Sequence, residues 1–183
     1  MIADDVSALI LAGGKATRFG GIAKHLLVID GETIFARQVA VLAPRVAEIM
    51  VSSADDIAGY RTVRDSVADA GPLGGIAAGL AAARTPWLLV VAGDMPDLDG
   101  TLIERMIRHS GGEHADAVGV RVGDLPIPLL CLLHRRVLPT VERRLASRRF
   151  KASGLLTQEG LRVRWLEDAD PRSLRNVNSP EDL

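Results

Sequence analysis

Residues 6–21, VSALILAGGKATRFGG, run an apolar segment straight into a glycine-rich loop. VSALIL (6–11) reads as a strand buried on both faces, because it shows no apolar–polar alternation. LAGGKATRFGG (11–21) then carries four glycines, two cations and no acid. In an open α/β sheet, ligands bind outside the carboxyl ends of the strands, so this loop falls where a ligand crevice is expected.

The same change of pattern repeats along the chain. Further strands are predicted at 47–52, 61–64, 87–92, 115–121 and 128–133. Helices are predicted at 33–43, 73–84, 99–109, 136–147 and 179–183. Asp30-Gly31 is a tight-turn pair between the apolar run 26–29 and the first helix. Ser179-Pro180 reads as a helix start, with serine as N-cap and proline at the first helical position. Such alternation predicts one α/β domain over 1–183, with a mostly parallel central sheet and helices on both sides.

Composition agrees with that class. Of 183 residues, 48% are hydrophobic, 25% charged and only 3% aromatic, so Leu, Val, Ile and Ala must build the core. A net charge of −1 argues against a non-specific nucleic-acid binder. The single cysteine, Cys131, allows no internal disulfide. No apolar run reaches the roughly 18 residues of a membrane helix, and the first residues lack the cationic start of a secretory signal. A cytoplasmic protein without membrane or nucleic-acid partners is expected.

Three segments carry candidate chemistry. In the opening loop, Gly13, Gly14, Gly20 and Gly21 permit close backbone approach to a ligand. Arg18 offers a bidentate grip on phosphate, and Lys24 a compact charge. The spacing matches neither the dinucleotide fingerprint nor the ATPase phosphate loop, and a solvated surface loop is the competing reading. Gly93-Asp94-Met95-Pro96 follows the most apolar strand, and Asp94 is placed to hold Mg²⁺ against substrate phosphates; a turn or helix cap is the alternative. Gly71, Gly74 and Gly75 open a small-residue helix whose N-terminus can approach a ligand, although Ala77, Ala78 and Ala81–Ala83 read as close helix–sheet packing.

These segments, in this order, resemble the nucleotidyltransferases that attach a nucleotide to molybdopterin, and within them the molybdenum cofactor guanylyltransferase family. The stretches that carry the likeness are LAGGKATRFGGIAKHLLVIDGETI, RDSVADAGPLGGIAAGL, GDMP and NVNSPEDL. The opening loop and GDMP are shared with sugar-phosphate nucleotidyltransferases, while the tail is more selective. Gly13, where cytidylyl relatives usually carry alanine, is similar to the guanylyl form. The resemblance implies a nucleotide-diphospho-sugar transferase type of three-layer sandwich. It implies transfer of GMP from GTP to the terminal phosphate of molybdopterin, with release of pyrophosphate and Mg²⁺ as cofactor. Leu11, Ala12, Gly13, Gly14, Ser52, Asp65 and Gly74 would contact GTP, Lys24 its phosphates, and Asp94 both metal and nucleotide. Arg18, Lys24 and Asp94 would be the catalytic set. Ser52 stands where the family often has asparagine, and Ala23 where an acid commonly precedes the lysine. Transient contact with other cofactor-biosynthesis proteins or client molybdoenzymes is a further implication.

The acceptor side is less legible. Residues 143–151 hold five cations and no acid, either an anion-attracting patch or a solvated helix end. Pro126-Ile127-Pro128 could shape an acceptor pocket, although Leu125 before it is not polar. The four histidines lack metal-site spacing and read as non-ligands; Cys131, Trp87 and Trp165 read as packing residues. Asp97 and Asp99 could reach the metal, but capping the following helix is the better reading. A CTP-dependent or sugar-phosphate transferase, and a non-catalytic nucleotide-binding protein, are the rival functions.

Overall fold

The computed structural model describes residues 3–13, 23–65, 67, 69–111, 114–178 and 182. Gly14, Arg18, Gly20, Gly21 and, apart from Asp182, the expected helix 179–183 lie outside the described residues.

The chain begins with β1 (Ala3–Leu11), a short hairpin of β2 (Val28–Ile29) and β3 (Glu32–Thr33), and α1 (Ile34–Leu42). It continues through β4 (Val46–Ser52), β5 (Arg61–Val63), α2 (Pro72–Ala82), β6 (Trp87–Ala92) and α3 (Gly100–Ser110). β7 (Ala117–Val122), β8 (Leu125–His134), α4 (Leu138–Ala146), α5 (Ser153–Gln158) and β9 (Val163–Leu166) complete the elements used below. Seven strands form one sheet in the order β5-β4-β1-β6-β8-β7-β9. β8 runs antiparallel to both β6 and β7; the other four pairings are parallel.

Side-chain alternation explains why the central strands are apolar throughout. Val6, Ala8 and Ile10 of β1, with Leu89 and Val91 of β6, pack toward α1 and α3. Leu9, Leu88 and Val90 face the opposite layer, built from α2, α4 and α5. Both faces are covered, so both residue parities must be apolar, and the arrangement is the expected three-layer sandwich. No helix among the described residues is long and apolar enough to cross a membrane.

Local signals set several boundaries. Asp30 (φ 51°) and Gly31 (φ 83°) both take left-handed backbone, the requirement of a two-residue hairpin turn. The expected turn is therefore present, but β3 intervenes before α1. Thr33 caps α1 by accepting from Ala36 N, and Asp99 caps α3 by accepting from Thr101 N and Leu102 N. Asp97 departs from its expected capping role: its carboxylate pairs with Arg175 Nε at 2.8 Å. Cys131 (1% exposed) and Trp87 (7%) are core residues as read.

The segment 143–151 is not a solvated helix end throughout. Arg144 is 2% exposed and donates to Glu159 Oε1 at 2.6 Å and to the Lys151 carbonyl at 2.8 Å. Arg149 also pairs with Glu159, and Arg143 lies 3.8 Å from it. The Arg144 hydrogen bond holds the Glu159 carboxyl below its ordinary range, against burial and with added help from the charges of Arg149 and Arg143. α5 supplies no strong sequence signal because it has only six residues, yet its Gly154 lies against the Arg144 guanidinium, 2.6 Å from where a Cβ would stand.

Candidate active site

The site follows from register. Leu11 is the partner of Ser52 on one side and of Ala92 on the other, and Ser52 is the partner of Val63. Four parallel strands therefore end at one level. Three interstrand spacings of roughly 4.8 Å separate the outer two, so their ends span about 14 Å, room for an extended nucleotide. The segments that leave these ends are Ala12-Gly13, Ser53, Arg64-Asp65 and Gly93-Asp94.

A cavity of about 450 Å³ opens over this edge. Of the predicted residues it is lined by Leu11, Ala12, Gly13, Lys24, Ser52, Asp65 and Asp94. At one end, Lys24 Nζ donates to Asp94 Oδ2 at 2.9 Å. At the other, Ser52 Oγ donates to Asp65 Oδ1 at 3.5 Å. Burial raises the Asp65 pKa above the ordinary carboxyl value, with the Ser52 hydrogen bond opposing it. Between the two ends, Ala12 N donates to the Ser52 carbonyl at 3.0 Å, which ties the opening loop to β4. Among the described residues, a Cβ at Gly13 would meet only the Ser52 carbonyl at 3.8 Å, an ordinary contact.

Gly74 does not line the cavity. A Cβ on it would lie 2.7 Å from Asp65 Oδ2, so this glycine makes room for the carboxylate. Gly71 (φ 59°) turns the chain into α2, and it and Pro72 bring the positive end of the helix dipole to the cavity wall. Leu129 of β8 also lines the cavity, whereas Pro126-Ile127-Pro128 do not.

Gly93 is needed for packing. Its N–H donates to the Leu11 carbonyl at 3.0 Å, and a Cβ would lie 2.6 Å from that same oxygen. The obstacle is backbone and has no rotamer to give way. Gly93→Ala is expected to cost about 1–3 kcal/mol of folding stability and to displace Asp94, lowering any activity that uses it. Denaturant unfolding checks this; a loss below about 0.5 kcal/mol, the scatter of ordinary surface changes, would contradict the close approach.

Two supports escape sequence reasoning. Gln38, fully buried on α1, donates through Nε2 to the Ala92 carbonyl at 2.7 Å and the Met95 carbonyl at 3.0 Å. It brackets the Asp94 turn, and nothing local in the helix marks it. Asn178 accepts from Lys24 Nζ at 2.9 Å, while Val177 N donates to the Asp94 carbonyl at 2.8 Å. The tail NVNSPEDL was thus legible as a motif but not as a brace under the Lys24–Asp94 pair.

Among the described residues, no three His, Cys, Asp or Glu side chains gather to form a protein-only metal cage. Magnesium needs no such cage: it is commonly held by one or two carboxylates, water and substrate phosphates. Asp94 fits that demand, with a hard oxygen donor, a side chain 18% exposed at the cavity, and a lysine beside it for the remaining phosphate charge.

Residues 8–169 match the family model described as a MobA-like NTP transferase domain. The chain is 38% identical to a molybdenum cofactor guanylyltransferase of Pseudomonas putida, over 97% of this chain and 95% of that one. It is 33% identical to another from Photobacterium profundum, over 99% and 95%. Among solved structures, molybdopterin-guanine dinucleotide biosynthesis protein A from Archaeoglobus fulgidus superposes with a TM-score of 0.78 at 22% identity, covering 96% of this chain and 94% of that one. A 2-C-methyl-D-erythritol 4-phosphate cytidylyltransferase from Thermus thermophilus superposes with a TM-score of 0.70 at 20% identity, covering 97% and 95%. At these identities the two structures speak to fold alone.

Proposed function

The chain belongs to the MobA-like NTP transferase family, and from that premise we propose that it transfers GMP from GTP to the terminal phosphate of molybdopterin. Pyrophosphate leaves, and the molybdopterin guanine dinucleotide forms. The protein is a nucleotidyltransferase, like the Pseudomonas putida guanylyltransferase with which it shares 38% identity. The observation that carries the reading is the Lys24–Asp94 pair, 2.9 Å apart at one end of a cleft across four strand ends.

The acceptor phosphate is already an anion, so no side-chain nucleophile is required. Its oxygen attacks the α-phosphorus of GTP as the bond to the β-phosphate oxygen breaks. The chain's task is alignment and charge compensation. Lys24 offsets charge on the phosphates, and Asn178 and Asp94 hold its ammonium in place. Asp65 and Ser52 border the nucleoside end, and the N-terminus of α2 favours negative charge beside them. Mg²⁺, held by Asp94, would supply further compensation on the triphosphate when bound. Arg18 belongs to the proposed catalytic set and Gly14 to the GTP contacts. The proposed compartment is the cytoplasm, where a lone cysteine stays reduced. Client molybdoenzymes or neighbouring biosynthetic proteins are the proposed transient partners.

A thermal-shift panel with Mg²⁺ and each of GTP, CTP, ATP and UTP tests the donor. GTP at a hundred times its Kd should add about 2.7 kcal/mol of stability, and the other nucleotides distinctly less. Molybdopterin and GTP together should then release pyrophosphate. Stabilisation by CTP in preference to GTP would move the chain to a cytidylyl activity.

A further inference from the structure

His25 lies in the 3-10 turn Lys24–Leu26, next to the lysine that pairs with Asp94, and it lines the same cleft. The residue is only 4% exposed, yet among the described residues neither Nδ1 nor Nε2 has a hydrogen-bond partner of normal geometry, and both atoms are buried. Its ring packs edge-on against Phe35, with centroids 6.0 Å apart and planes at 72°. Phe35 packs in turn against Tyr60, at 5.1 Å and 88°.

Packing alone does not call for an imidazole here. A phenyl ring would fill the same contact with Phe35 and leave no polar atom unsatisfied. Leaving a buried polar group without a partner destabilises the fold, a burden that makes sense where a ligand supplies that partner. Burial lowers the proton affinity of the ring; the nearby Ala12 backbone opposes this, although no hydrogen bond of normal geometry joins them. A neutral imidazole has one nitrogen as donor and the other as acceptor. Its χ2 torsion is broad and roughly two-fold, so the ring can turn within its own volume and exchange carbon and nitrogen positions.

We propose that His25 is a substrate-positioning residue: when the cleft fills, a ring N–H donates a hydrogen bond to a phosphate oxygen seated beside Lys24 and Asp94. The ligand chemistry is a phosphate oxygen, from either the nucleotide or the acceptor. No proton is transferred, and His25 is not a metal ligand. The proposal rests on reading this cleft as a nucleotidyltransferase site.

The test compares wild type, His25→Phe and His25→Gln in pyrophosphate release, with unfolding midpoints measured in parallel. His25→Phe keeps the aromatic contact and should fold at least as stably. It should raise one KM about tenfold, the effect of losing one hydrogen bond to a charged group, and His25→Gln should recover most of that loss. A raised KM for GTP assigns the oxygen to the nucleotide, and a raised KM for molybdopterin assigns it to the acceptor. Active wild type with unchanged kcat and both KM values in His25→Phe would overturn the role of His25 and leave the enzyme's function standing. Inactive wild type would count against the function itself. In that event the ring ¹⁵N signals, assigned by their loss in His25→Phe, decide for His25. A shift of one nitrogen on adding pyrophosphate with Mg²⁺ supports the contact, and no shift of either overturns it.

Discussion

Asp94→Asn is expected to leave the fold intact and to reduce turnover of GTP with molybdopterin about a thousandfold, the upper end for removal of one preorganised electrostatic group. Asparagine keeps the size of the side chain and loses its charge. The backbone of the turn is held independently, through Gly93 N on Leu11, Val177 N on the Asp94 carbonyl, and Gln38 on Ala92 and Met95. Stability should therefore change little. The Lys24–Asp94 side chains are 32% and 18% exposed, and ion pairs near the surface contribute at most about 1 kcal/mol. What the variant removes is the hard anionic oxygen proposed to hold Mg²⁺. Excess Mg²⁺ should consequently fail to restore the rate. Pyrophosphate release measured against Mg²⁺ concentration, with circular dichroism to confirm folding, is the check. Near wild-type activity in a folded variant would remove Asp94 from the site.

Lys24→Met should lower kcat/KM for GTP by about two to three orders of magnitude, again on the scale of one electrostatic contact. Methionine keeps an apolar stem of similar reach and deletes the ammonium that Asp94 and Asn178 both hold. If Lys24 compensates charge on the triphosphate in the ground state and more strongly in the transition state, KM rises and kcat falls together. The Mg²⁺ dependence should survive, which separates this variant from Asp94→Asn. The double variant should lose less than the sum of the two free-energy changes, because groups in contact do not act independently. Full additivity would mean that the 2.9 Å contact has no functional consequence. Steady-state kinetics on the four proteins of the cycle gives the answer.

The strands that build the floor of the site were readable because their signal is local. WLLVVA was expected at 87–92 and is β6 at Trp87–Ala92. A strand with helices on both faces must be apolar at every position, so six consecutive residues suffice to reveal it. The residues following such a strand lie at its carboxyl end, which is why Asp94 could be nominated without any knowledge of its neighbours. Ser52 and Asp65 were placed by resemblance and do meet at the cleft, 3.5 Å apart. β9 escaped notice because it is a four-residue strand at the sheet edge, where Arg164 interrupts the apolar run. Gln38 and Asn178 escaped because neither carries a mark of its role in its own segment.

The amino-acid sequence alone therefore determined the α/β class, the position of the main buried strands and the chemistry available at their ends. Those depend on side-chain periodicity and turn residues over spans of a few residues. Only the tertiary structure decided which strand ends are neighbours. Lys24 and Asp94 are 70 residues apart in the chain, and Lys24 and Asn178 are 154 apart. Their convergence follows from the strand order β4-β1-β6 and from Val177 docking between Leu27 and Ile34. Such contacts are set by how whole layers bury one another, and no local pattern contains that information.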